Sequence, residues 1–145
     1  MGGFNPDTWF VYGQHPIWSV ITLCGPGVKA VSSYAYQNTC HSLITYPDRM
    51  PAEVWYGRPD VEYSDTQVTF EKKTYNFSSD IEEEWWLGHH YEIFRLGHTF
   101  REMIRTRIEP VPHEEILDVT AILYAAAKSR ESQGRLVELA EVLET

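Results

Sequence analysis

Six histidines and two cysteines are the residues of this sequence most suited to chemistry, and His15 has the most informative setting. It directly precedes Pro16, where an irregular segment gives way to an apolar run. Proline favours the first turn of a helix, so His15 is predicted to project from the start of a rigid element. An imidazole there suits proton transfer near neutral pH. The alternative is a histidine that only caps or packs.

The remaining histidines and the two cysteines do not form a local metal or nucleophile motif. The sequence contains no HxxxH, HExxH or GxSxG, and Cys24 and Cys40 are not spaced as CxxC. A zinc site on one helix, a disulfide framework and a cysteine nucleophile are therefore disfavoured. We predict no metal site, although a site assembled from distant histidines is a third, weaker alternative.

Aromatic side chains and histidines follow an acidic run in the second half of the chain. Glutamates 82–84 precede Trp85 and Trp86, and His89 and His90 come soon after. Indole and imidazole rings could stack on a sugar while carboxylates bind its hydroxyls. The simpler interpretation is a solvated acidic stretch followed by core aromatics.

The stretch Gly25-Pro26-Gly27-Val28-Lys29-Ala30 matches the dinucleotide fingerprint GxGxxA. That motif works when a strand precedes it and a helix follows, because the pyrophosphate then meets a helix N-terminus. Here a helix is predicted before it and a strand after it. The glycines are therefore predicted to form a helix cap and a turn, with Gly25 in a left-handed conformation.

The elements that must position these residues follow from the sequence pattern. A helix from Pro16 to about Cys24 is apolar nearly all round, so it should be buried. Short runs rich in Val, Thr, Tyr and Trp predict strands, and two amphipathic helices should follow. The predicted strands are Val28–Tyr36, His41–Tyr46, Ala52–Tyr56, Thr66–Phe70 and Thr74–Phe77, the helices contain residues 93–104 and 113–130, and Leu136–Val142 is a possible last strand. The pattern predicts a single α+β domain over residues 1–145, with a mostly antiparallel open sheet and helices packed on one face.

Composition narrows the possible partners. The 145 residues include 12 Lys or Arg and 21 Asp or Glu, a formal net charge of −9. Such acidity disfavours nucleic acid and anionic membrane surfaces as partners. The uncharged stretch 8–28 is interrupted by glycines and prolines, so it predicts no membrane span. Without a signal-peptide pattern, we expect a cytoplasmic protein.

Three segments of the chain carry a resemblance to a known family. They are Tyr12-Gly13-x-His15-Pro16 through Gly25-Pro26-Gly27-Val28; Gly97-His98-Thr99-Phe100-Arg101-Glu102 through Pro110-x-Pro112-His113-Glu114-Glu115; and Ala125-Ala126-Ala127-Lys128-Ser129 through Gly134-Arg135-x-Val137-Glu138-Leu139. In order and spacing they resemble the C-terminal domain of the Gfo/Idh/MocA oxidoreductases, the family of glucose–fructose oxidoreductase and inositol dehydrogenase. The resemblance runs from about Phe10 to the C-terminus.

The resemblance implies the part of an NAD(P)-dependent sugar or polyol oxidoreductase that binds substrate and forms oligomers through its open sheet. His15 would be the catalytic acid/base histidine, and Tyr12, Trp85, His89 and His90 would contact a sugar or polyol. The family's Asp-x-x-x-His pair is incomplete because Val11 takes the aspartate position. No Glu-Lys-Pro motif occurs.

The family's cofactor-binding Rossmann domain has no counterpart in the chain, since the residues before Phe10 are too few to form one. We therefore expect the chain to bind no cofactor alone, and NAD(P) to require a partner chain with a Rossmann domain. Alone, the chain should be inactive and homo-oligomeric. The alternative is a non-catalytic module that binds a sugar or a protein.

Overall fold

The fold is given by a computed structural model that describes residues 9–11, 13–36, 39–56, 66–70, 73–77 and 85–143, with side chains described outside 56–93. Two compact units are distinguished: Met1–Ser79 with Glu114–Thr145, and Asp80–His113. The predicted α+β class is confirmed, because helices accompany an antiparallel sheet.

The described elements follow the predicted order closely. The helices are α1 Gln14–Cys24, α2 Trp85–Thr106, α3 His113–Glu131 and α4 Ala140–Leu143, and the strands are β1 Ala30–Tyr36, β2 Thr39–Thr45, β3 Ala52–Tyr56, β4 Thr66–Phe70, β5 Lys73–Phe77 and β6 Val137–Glu138.

The strands form one sheet in the order β5-β4-β3-β2-β1-β6. The first five strands are a meander, in which each pairs antiparallel with the next. Strand β6 returns from the far end of the chain to pair antiparallel with β1, with Val31 opposite Val137. Residues that follow α3 therefore cover the β1 edge, and β6 is the outermost strand on that side of the sheet.

Alternation along β1, β2 and β3 gives the sheet two unlike faces. One face, called here the covered face, packs against α1 and α3 and shares a core with Ile17, Val20 and Ile122. Its buried side chains are Val31, Ser33, Cys40, Ser42, Ile44, Ala52 and Val54. The opposite face, called the open face, carries Ser32, Tyr34, Tyr36, His41, Leu43, Glu53 and Trp55.

Helix α1 is buried on one side only. Ile17, Val20 and Ile21 are fully buried, but Leu23 is 42% exposed. The predicted burial of this apolar helix therefore holds for the side that packs on the sheet and not for the opposite side. A helix lying on a sheet presents one side to it, and apolar side chains on the other side stay in contact with solvent.

The segment that joins α1 to β1 confirms the interpretation of Gly25–Ala30 as a cap and turn. Gly25 has a φ of 79° and a ψ of 170°, so its φ is positive as predicted but its ψ is extended rather than left-handed helical. The hydroxyl of Tyr46 donates to the Gly25 carbonyl at 3.1 Å. The carboxylate of Asp118, on α3, accepts from the Gly27 N–H at 2.7 Å. The glycine turn is thus tied to both the sheet and α3.

The end of the chain differs from the predicted long strand. Only Val137–Glu138 pairs with β1, and Ala140–Leu143 is helical. The Glu141 carboxylate accepts from the Glu138 N–H at 3.1 Å and holds a bidentate pair with Arg135. These bonds fold the chain back on itself, so the chain leaves the sheet after Leu139, whose N–H still donates to the Lys29 carbonyl at 2.9 Å.

In the second unit, α2 begins at Trp85, and its last turn is followed by Arg107 with a φ of 57°. The helical spacing of the apolar residues predicted this element and its end before the prolines. Over its described side chains the apolar residues are nevertheless exposed, including Leu96 at 69% and Phe100 at 57%.

Candidate functional site

His15 lies in the first turn of α1, where the sequence predicts it, and its side chain is exposed. The residues that follow it, Pro16 and Ile17, are buried and fix the helix start against the core. The backbone carbonyl of His15 accepts a hydrogen bond from the Ser19 hydroxyl at 3.3 Å. The imidazole is therefore exposed at the start of a firmly packed element, where it is accessible to a substrate.

Trp9 and Gly13 hold the start of α1 in place. The Trp9 indole is fully buried and donates to the Leu123 carbonyl of α3 at 3.0 Å. The Gly13 N–H donates to the Trp9 carbonyl at 2.9 Å, and a Cβ at Gly13 would lie 2.6 Å from the Trp9 ring. Because only glycine permits this approach, the turn before His15 is anchored directly to the core.

The position four residues before His15 provides no carboxylate. Val11 occupies it and is 55% exposed, while its carbonyl accepts from the Gln14 side chain at 2.9 Å. Tyr12, the predicted neighbour of this gap, lies outside the described residues. A proton relay through an aspartate at this position is therefore absent from the chain.

The other predicted substrate-binding residues belong to the second unit. Trp85, His89 and His90 belong to helix α2. Only their backbone is described, and their side chains lie outside the described part of the chain. Their helical backbone agrees with the sequence pattern. Their pairing with His15 in one site stays a prediction.

The open face brings together a constellation that the sequence analysis missed. Tyr34, His41 and Trp55 lie directly opposite one another on β1, β2 and β3. The His41 and Trp55 rings stack with centroids 4.2 Å apart and 23° between their planes. Tyr34 is 56% and Trp55 is 47% exposed. A row of ring faces and edges is thus available on three neighbouring strands.

Glu53 places a carboxylate beside these rings. Its Oε2 lies 3.5 Å from His41 Nε2, an ion-pair distance without hydrogen-bond geometry. The side chains of Glu53 and His41 are 50% and 30% exposed. Exposed aromatic rings with an adjacent carboxylate can stack on the apolar face of a sugar and accept hydrogen bonds from its hydroxyls. The register of three strands is needed to see this grouping, and single-strand patterns do not supply it.

The covered face contains a polar cluster around Arg130 that sequence reasoning also missed. The guanidinium of Arg130 donates to Ser33 Oγ at 3.2 Å and to Cys40 Sγ at 3.3 Å. Its Cζ lies 4.6 Å from the centre of the Trp9 ring. Burial lowers the pKa of Arg130, the main effect on it, and the group stays charged. Since Ser33 and Cys40 are fully buried, this cluster supports the fold and offers no open site.

Metal binding finds no support among the described side chains. Within that part of the chain, no group of three or more His, Cys, Asp or Glu residues is arranged to hold an ion. Burial raises the pKa of the Cys24 thiol, which the nearby Arg49 only partly offsets, so this cysteine has no nucleophilic activation. Within the same residues, no helix has the length and apolar character needed to cross a membrane.

Comparisons with known proteins give no relative from which a role could be transferred. No family model matches the sequence, and no curated protein or solved structure matches it.

Proposed function

We propose that this chain is the substrate-binding and oligomerisation part of an NAD(P)-dependent sugar or polyol oxidoreductase, inactive without a partner that binds the cofactor. His15 is the proposed acid/base residue, and the open face is the proposed surface of homo-oligomerisation. The sequence resemblance to the Gfo/Idh/MocA C-terminal domain motivates this proposal. The observation that carries it is the exposed imidazole of His15 on a helix start that is anchored in the core.

The fold supports this role in two further ways. A sheet with helices on one face and exposed rings on the other offers a flat surface for a second copy. An isologous contact across the open face would bury the exposed rings of Tyr34 and Trp55. The chain therefore has both a candidate proton-transfer group and a candidate subunit contact.

The first test is a titration of the purified chain with NADH and NADPH, followed by energy transfer from tryptophan to the nicotinamide. The chain has five tryptophans that can report binding. We expect no binding up to millimolar cofactor, because a half-enzyme lacks the cofactor domain. Micromolar binding would mean that the chain builds a cofactor site of its own, and the proposal would be abandoned.

The second test adds the partner. The reading frames next to this one are searched for a Rossmann-domain chain with a Glu-Lys-Pro motif, and such a chain is mixed with this one and assayed for oxidation of sugars and polyols. We expect His15→Ala to abolish turnover and His113→Ala, a matched change at another exposed histidine, to leave it intact. Equal turnover by the two variants would remove His15 from the proposed mechanism.

A non-catalytic sugar-binding module is the second candidate, and the stack of His41 on Trp55 beside Glu53 favours it. It predicts saccharide binding without nicotinamide binding, measured by isothermal titration calorimetry. Trp55→Ala should remove the heat of binding, because stacking on an aromatic ring supplies much of the affinity. Tyr124→Ala, at an exposed aromatic residue of α3 outside the open face, is the matched control and should bind as the parent does.

A further inference from the structure

The stack of His41 on Trp55 leaves an aromatic surface accessible to a ligand. The ring centroids are 4.2 Å apart, and the ring planes make an angle of 23°. His41 on β2 and Trp55 on β3 are direct cross-strand neighbours, so the two rings stand side by side on the open face. Since Trp55 is still 47% exposed, the imidazole covers only part of the indole. The exposed part can stack on the apolar face of a sugar ring.

The carboxylate of Glu53 lies at the edge of this stack and is accessible as well. The Glu53 side chain is 50% exposed, and its Oε2 lies 3.5 Å from His41 Nε2. That nitrogen has no hydrogen-bond partner among the described residues, so it does not donate to the carboxylate. Within the same part of the chain, no other side chain or backbone N–H donates to Glu53. Its oxygens therefore keep lone pairs for a donor that a ligand brings.

The charge of the open face determines which kind of donor suits Glu53. Of the seven residues that define this face, one is a carboxylate and none is a lysine or an arginine. The whole chain carries a formal net charge of −9, so its field also attracts cations. A sugar with a carboxylate would be repelled by Glu53, whereas a sugar with a protonated amine would meet an opposite charge.

Glu53 and Trp55 are close enough to contact the same sugar unit. They are two residues apart on β3 and point to the same face, so their Cα atoms are roughly 7 Å apart. A ring that stacks on Trp55 carries its substituents over the neighbouring position on that side of the strand, which is Glu53. Stacking and a charged hydrogen bond would together fix both the position and the orientation of the ligand.

We propose that the open face binds an amino sugar, with the sugar ring stacked on Trp55 and the protonated amine donating to the Glu53 carboxylate. This inference rests on the second candidate function, in which the open face binds a sugar, and it names the class of that sugar. The bond joins two opposite charges, so it is stronger than a bond from a sugar hydroxyl to the same carboxylate. Glu53 therefore determines specificity, and Trp55 supplies the affinity that all sugars share.

The test compares three oligosaccharides of the same length, linkage and ring type. They are the tetramers of glucosamine, of N-acetylglucosamine and of glucose, of which only the first is cationic. Isothermal titration calorimetry with the full chain, at a pH at which the glucosamine amine is protonated, measures the three dissociation constants. We expect the glucosamine tetramer to bind about tenfold more tightly than the two neutral tetramers, because a hydrogen bond between charged groups contributes more than one from a neutral donor.

Two variants with the same change of charge assign this preference to a residue. Glu53→Gln keeps the size of the side chain and removes its charge, so it should abolish the preference and leave the affinity for the neutral tetramers unchanged. Glu131→Gln is the matched control, since this glutamate is exposed at the end of α3 and lies outside the open face. It should retain the full preference. Far-UV circular dichroism checks that both variants are folded.

The results that would overturn the inference differ from those that would overturn the function beneath it. Equal affinities for the three tetramers would remove the preference for an amine and leave a sugar-binding module. Binding of none of them would overturn the sugar-binding function together with the inference.

A control for charge alone completes the experiment. Tetralysine has the same number of amines as the glucosamine tetramer but no sugar rings, and we expect it to bind much more weakly. Equally tight binding of tetralysine, or an equal loss of preference in Glu53→Gln and Glu131→Gln, would show that the general negative charge attracts the amines. Either result would overturn the assignment of an amino-sugar site to Glu53 and Trp55.

Discussion

The two faces of the sheet are built from alternate residues of the same strands, yet they differ in almost every physical respect. On the covered face, Val31, Ile44 and Val54 are fully buried against α1 and α3. On the open face, Tyr34 and Trp55 keep about half of their surface in contact with solvent. The period of two along a strand lets one stretch of sequence encode a core and a recognition surface together.

The difference teaches that polarity alone does not distinguish the two faces. The covered face contains Ser33 and Ser42, which are almost fully buried, and the open face contains aromatic rings. Each buried serine is satisfied: Ser33 Oγ lies 2.8 Å from Ser42 Oγ, and the Ser33 N–H donates to Ser129 Oγ at 2.8 Å. Hydrogen-bond partners, rather than apolar composition, allow these residues to lie inside.

The largest effect expected from the comparison is on the covered face. Ile44→Ala should lower the free energy of unfolding by about 2–5 kcal/mol, because it leaves a cavity among packed side chains. Tyr36→Ala on the open face, where the side chain is 76% exposed, should change it little. Urea unfolding followed by circular dichroism measures both. Similar losses for the two variants would contradict the assignment of the faces.

A smaller effect is expected from the buried polar network. Ser129 Oγ accepts from the Ser33 N–H and donates to the Arg135 carbonyl at 2.6 Å. Ser129→Ala removes the hydrogen-bond partner of both backbone groups and should lower the free energy of unfolding by about 1–3 kcal/mol. Ser132→Ala, at an exposed position one turn later, is the control in the same urea assay. A neutral Ser129→Ala would show that the covered face does not depend on this network.

The turn at Gly134 tests a crowded point of the open face. Gly134 has a φ of 82°, and a Cβ there would overlap the Tyr34 ring. Gly134→Ala should therefore destabilise the chain by about 1–2 kcal/mol through backbone strain, with overlap added. Gly27→Ala is the matched control, because its φ of 95° imposes strain but no atom lies within 4 Å. In a double-mutant cycle, adding Tyr34→Ala to Gly134→Ala should restore the part of the free energy of unfolding that is lost to overlap with the Tyr34 ring.

The smallest effect concerns pH and lies outside both faces. The hydrogen bonds from Arg135, with that from the Glu138 N–H, lower the pKa of Glu141 from 4.5 to about 2. A carboxylate with a lowered folded-state pKa stabilises the fold above its unfolded pKa, and that contribution is lost as pH falls from about 4.5 towards 2. Glu141→Gln should remove this part of the acid sensitivity, whereas Glu131→Gln should not. Unfolding measured at several pH values between 7 and 2 compares the variants.

The sequence predicted the sequential elements better than their pairing. The bounds of β3 and β4 agree with those predicted, because turn residues flank both runs. Register was not predictable, since serine is mostly exposed in proteins whereas Ser33 and Ser42 are buried. The strand after α3 was predicted too long, because the turn made by Glu141 depends on a side-chain bond that no periodicity records.

The candidate sites divide in the same way. His15 was predictable from the proline beside it, which is a local signal. The row of Tyr34, His41 and Trp55 required the pairing of three strands. Arg130 matched the preference for basic residues in the last turn of a helix, yet it donates into the core. Only the packing of α3 on the sheet explains that placement.

The pairing of β6 with β1 has a consequence for synthesis of the chain on the ribosome. The Trp9 indole can donate its hydrogen bond only after Leu123, 114 positions later, has been synthesised. Strand β1 can pair at its outer edge only after Val137 has been added. At typical elongation rates, β1 to β3 emerge on the order of 5–15 s before these partners. During that interval the covered face has no α3 and the β1 edge is unpaired. Nascent chains stalled before residue 137 should therefore be digested readily by protease, whereas the released full chain should resist.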